Sequence, residues 1–178
     1  MLGNRANVTL RPSAPVTLEA IAHMGLAEDC ICFCIGVFQD TAWASRGLDA
    51  LTRDGFGPES LSIVAKPTPE VVALMEKTFG VDAAQAEVDI EGLGRALAHG
   101  TLVGTLQGAD DALGKTGVAA TMRRAGFQSH DGFIFETLTA RGGVLVAVDD
   151  EPRAADALAM MHAYGGGNAA IGAWRGRV

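Results

Sequence analysis

The chain has 178 residues, 48% hydrophobic and 20% charged, a balance that fits one soluble globular domain with a sizeable core and excludes a disordered chain. Fourteen basic residues against 21 acidic ones give a net charge of −7, which repels phosphate backbones and argues against a nucleic-acid partner. Met1–Arg11 has no apolar leader and no run reaches about 18 apolar residues, so neither a signal peptide nor a membrane span is expected.

In chain order, residues 1–29 read as an N-terminal lead with one short helix, Leu18–Met24, capped by Thr17 and stopped by Gly25. Cys30–Phe38 is a continuous apolar run of the kind that forms a buried strand. Asp40 or Thr41 caps a predicted helix over Ala42–Asp54, whose Ala44, Gly47, Leu48 and Leu51 share one face. Gly55 stops it, with Phe56 as the following hydrophobic contact. Leu61–Ala65 is a second predicted strand. Pro69–Phe79 is a helix opened by Thr68 and Pro69, with Glu70 near its positive pole.

The next stretch is rich in small residues. Ala96, Gly100, Gly104 and Gly108 recur at every fourth position, and the spacing predicts a helix over Ile90–Leu106 with these four on one face. Each glycine inside a helix costs about 1 kcal/mol relative to alanine, so such a row implies close helix packing. The partner would be either the next helix, Ala112–Ala125, or a second copy of the chain. Asp110 and Asp111 are read as caps. Gly126-Phe127 repeats the stop of Gly55-Phe56. A helix over Asp131–Ala140, a strand over Gly143–Val148, a helix over Glu151–Tyr164 and a strand over Ala169–Trp174 complete the chain.

Strand, helix, strand thus occurs twice. This order predicts an α+β fold, a ferredoxin-like split βαβ sheet with a helical insertion between the two halves. Residues 30–174 would form a single domain, with the insertion at about 67–141. The segment Gly36-Val37-Phe38, the helix after it, Gly55-Phe56 and Leu61-Ser62-Ile63-Val64, with the later Gly142-Gly143-Val144-Leu145-Val146, resemble the bacterial heat-induced stress protein domain of the general stress protein family. The resemblance spans about residues 31–174. It implies no catalytic residues, because the family brings none that are agreed.

Few residues suggest chemistry. Cys30, Cys32 and Cys34 alternate, so a strand would place all three on one face. His162, beside Met160 and Met161, adds further soft ligands. Yet Cys-x-Cys-x-Cys lacks the knuckle spacing of structural zinc sites, and consecutive helical residues do not share a face. Core packing is therefore the expected role, with no bound cofactor or metal. Three clustered cysteines also suggest a reducing, cytoplasmic compartment rather than a disulfide scaffold. His23, His99 and His130 are isolated. Gly165-Gly166-Gly167-Asn168 follows a helix and precedes a strand, the wrong order for a phosphate loop. Asp110-Asp111 and Asp149-Asp150 read as helix caps. These features favour a non-enzymatic, soluble, homo-oligomeric stress-associated or ligand-sensing domain, its small-molecule ligand unidentified. The alternative is a metal- or haem-binding enzyme on the same scaffold.

Overall fold

The computed structural model describes residues 30–81, 86–149 and 151–175. The predicted Leu18–Met24 helix lies outside them. From Ile31 onward the described residues form one compact unit. Its elements are β1 (Cys30–Phe38), α1 (Thr41–Arg53), β2 (Leu61–Ala65), α2 (Pro69–Phe79), β3 (Ala86–Ile90), β4 (Gly94–His99), α3 (Thr101–Gln107), α4 (Ala112–Arg124), α5 (Ser129–Ala140), β5 (Val144–Val148), α6 (Ala154–Ala163) and β6 (Gly166–Arg175).

The strands make one six-stranded sheet in the order β3-β4-β2-β5-β1-β6. β5 pairs antiparallel with both β1 and β2. β4 pairs antiparallel with β2 and with β3. β1 and β2 therefore run in the same direction on either side of β5. Helices cover both faces of the sheet at its centre, which explains why β2 and β5 are buried along their whole length and apolar but for Ser62. On one face Phe38, Leu61, Ile63, Val144 and Val146 pack under α1, α2 and α6. On the other, Phe33, Ile35, Val64 and Leu145 pack under α3, α4 and α5. Phe127 joins Phe33 and Phe135 there, at ring separations of 5.4 and 5.8 Å.

Local chemistry sets the ends. Asp40 accepts from the Trp43 N–H at 2.9 Å and caps α1. Thr68 caps α2 through the Val71 N–H. The Glu70 carboxyl in that first turn is held below its usual pKa by its own backbone N–H and then by Thr68. Phe56 and Phe127 donate back to Leu51 and Met122 at 3.0 and 3.1 Å, so the two glycine–phenylalanine stops have the same geometry.

The region between the halves differs from expectation. The segment over 67–141 is not wholly helical. Ile90–Leu106 is the end of one strand, a turn, a second strand and the start of a short helix. Gly92 and Gly94 have φ of 79° and 77° and build the turn joining β3 to β4. Gly100, at φ 113°, ends β4, and any side chain there would overlap Ser62 and the Leu61 carbonyl. Ala96, Gly100, Gly104 and Gly108 consequently share no helix face: they lie in β4, before α3, within α3 and after it. Added bulk at Gly104 would meet nothing within 4 Å, so it is not a close helix–helix contact.

Asp111 also departs from its predicted role. It precedes α4 with φ 53° and makes no side-chain cap. Its carboxylate accepts instead from Gln107 at 3.3 Å. A helical turn over Glu151–Arg153 leads into α6, which starts after Arg153 without a capping side chain of its own; Asp149 lies ahead of that turn. The Asp149 backbone N–H donates to the Ser60 carbonyl at 2.8 Å. Asp150 lies outside the described residues.

Candidate functional site

The hairpin that replaces the predicted helix creates the most distinctive recess of the described surface. β3 is the last strand of the sheet. Along it, alternate side chains take opposite faces. Ile90 is buried and Val88 half-buried on the α3 side, whereas Glu87 and Asp89 are exposed. Beside Val88, a cavity of about 570 Å³ opens between the hairpin and α3. Its walls are Ala86, Val88, Ala98, Val103 and Gly104, with Glu59, Thr101 and Gln107 among the polar residues lining it. Of the small residues that predicted helix packing, Gly104 thus leaves space instead.

A second cavity, about 630 Å³, continues along the strand. It shares Val88 and Gln107 with the first, and it carries Glu87, Asp89, Glu91 and Asp111 against a single Lys115. The trough is therefore apolar in one part and anionic in the next. Three hydrogen bonds fix its walls. The Ser62 hydroxyl, buried in β2, accepts from the Leu102 N–H at 3.1 Å and anchors the start of α3. Gln107 donates to Asp111 and accepts from the Gly114 N–H at 3.3 Å, tying the end of α3 to the start of α4. His99 lies at the rim, its ring 4.0 Å from that of Phe79.

Among the described side chains, those singled out for metal chemistry form no group that could hold a metal ion. Cys34 is buried in the core beneath α1 and α6, and Met161 is the α6 residue buried in the same cluster. His162 is exposed, on the adjacent helix position. The side chains of Cys30 and Cys32 lie outside the described residues. Among the described residues no three His, Cys, Asp or Glu side chains are grouped to hold a metal ion. His130 pairs with Asp131 at 2.9 Å. Gly165, at φ 85°, follows the end of α6 as the expected helix stop, whereas Gly166, Gly167 and Asn168 belong to β6 and are not the expected connection. No described helix is long and apolar enough to cross a membrane.

Sequence reasoning missed Glu87, Val88, Asp89 and Gln107. The signal for the first three was present as the polar–apolar alternation of Ala86–Ile90. No protein-family model, curated protein or solved structure matches this chain.

Proposed function

We propose that the chain is a non-enzymatic binding domain that senses a ligand through the trough along β3, on a ferredoxin-like split βαβ core of the kind found in the general stress protein family. The strand order β2-β5-β1-β6, with α1 and α6 on one face, supports that core. The supporting observation for function is the 570 Å³ recess. Its apolar walls and lack of bulk at Gly104 suit an apolar group better than a reacting one. The neutral fluorophore Nile red is a direct probe. Its emission should rise with the native protein and fall back with Gly104→Leu, which fills the recess from a position where an added methyl meets nothing within 4 Å. Equal emission from the two proteins would refute the reading.

Self-association belongs to the same proposal but bypasses the surface named by the sequence and the outer strand. The small-residue helix face does not exist, and β3 presents acidic residues. Light scattering should give a mass above 18.4 kDa that is unchanged by Glu87→Lys. A constant monomer mass over a wide concentration range would remove self-association.

A further inference from the structure

We propose that the edge of β3 that no described strand pairs docks an extended peptide segment with basic residues at two alternate positions and an aliphatic residue between them. The inference rests on the trough reading and names its occupant.

Backbone direction comes first. The Glu91 N–H donates to the Gly114 carbonyl at 2.8 Å, on the side away from β4. The Asp89 carbonyl points the same way, since a methyl added to Gly114 would lie 3.1 Å from it. Residues of one parity in a strand direct their backbone groups to the same side. Glu87 therefore also points outward, while Val88 and Ile90 face their β4 partners Ala96 and Gly94. The α4 start covers the far end of this edge. Among the described residues, Glu87 and the Asp89 N–H are left to take a further strand.

Charge then selects the strand. In an antiparallel ladder, outward-facing residues pair with outward-facing residues. A second copy of β3 could offer only Glu87 or Asp89 opposite Glu87 or Asp89. Every such register sets carboxylate against carboxylate, which is destabilising. A strand with lysine or arginine at those positions reverses each of these terms. Its intervening residue lies opposite Val88 and shares that residue's face, over the space left by Gly104 and Ala98. Basic, aliphatic, basic is therefore the complementary pattern, read by main-chain pairing and one recess.

The test is fluorescence anisotropy of labelled synthetic peptides on the full chain. A peptide alternating lysine with valine should bind at least about tenfold more tightly than one alternating glutamate with valine. It should also outbind a peptide of the same composition with its lysines contiguous. A Glu87→Lys, Asp89→Lys protein should reverse the charge preference, and Gly104→Leu should weaken binding of the alternating peptide. Equal binding of the alternating and contiguous lysine peptides would reduce the effect to net charge and overturn the proposal. An unchanged preference in the charge-reversed protein would do the same. If no peptide binds while Nile red still enters the recess, this inference fails and the reading of the trough as a binding site stands.

Discussion

At the scale of single residues, two glycines in helices behave oppositely. Gly47 is buried in α1, where an added methyl would overlap the ring of Phe38, itself fully enclosed. Gly104 in α3 faces open space. Alanine at Gly104 should raise stability by about 0.5–1 kcal/mol, through helix propensity alone. Alanine at Gly47 gains the same propensity but must displace a core ring, and overpacking of this kind costs about 1–3 kcal/mol. Chemical denaturation of the two variants checks both signs. A stabilised Gly47→Ala protein would mean that Phe38 moves aside freely. The role of Gly47 as a buried position was legible in the sequence, because Ala44, Gly47, Leu48 and Leu51 share a stripe. The role of Gly104 was not: spacing of four is satisfied by a helix and, equally, by a strand, a turn and a short helix in succession. What decided between them was backbone conformation at Gly92, Gly94 and Gly100, which a sequence pattern does not record.

Among elements, α4 holds the least legible feature. Gly117, at φ 80° and ψ 174°, breaks the helix midway. The Glu136 carboxylate, reaching across from α5, accepts from the Ala119 N–H at 2.9 Å and caps the second half. A side chain at Gly117 would crowd both Glu136 and the Glu91 carbonyl, so glycine is needed for conformation and for space. Glu136→Ala should therefore destabilise by about 1–2 kcal/mol, whereas Glu136→Gln, which keeps an acceptor, should lose less. Thermal melts of the pair test this. Equal losses would indicate that the carboxylate acts by charge and not as a hydrogen-bond acceptor. Elements whose ends carry their own signals were read correctly. Leu61–Ala65 and Pro69–Phe79 have the predicted limits, because a local cap, a proline or a glycine stop marks them. The Glu136 cap joins residues 17 apart in sequence and leaves no local trace.

For the whole molecule, the sheet with helices on both faces explains why the intervening region exists. The two strand–helix–strand halves cover one face with α1 and α6. Without α3, α4 and α5, the face bearing Phe33, Ile35 and Leu145 would lie open. The hairpin β3–β4 extends the sheet past β2, and α3 returns over it, leaving the trough at the outer edge. The candidate site thus belongs to the region where the sequence was misread, while the α+β arrangement of the flanking strands and helices was anticipated. Cys34 and Met161, the soft ligands of the metal reading, are core residues on the opposite face. The central claim is that this edge binds. It is tested most directly by titrating isotope-labelled protein with Nile red and mapping amide chemical-shift changes. The account predicts that they gather on Val88, Ala98, Val103 and Gly104. Changes centred on α1 and α6, with those four amides still, would contradict it.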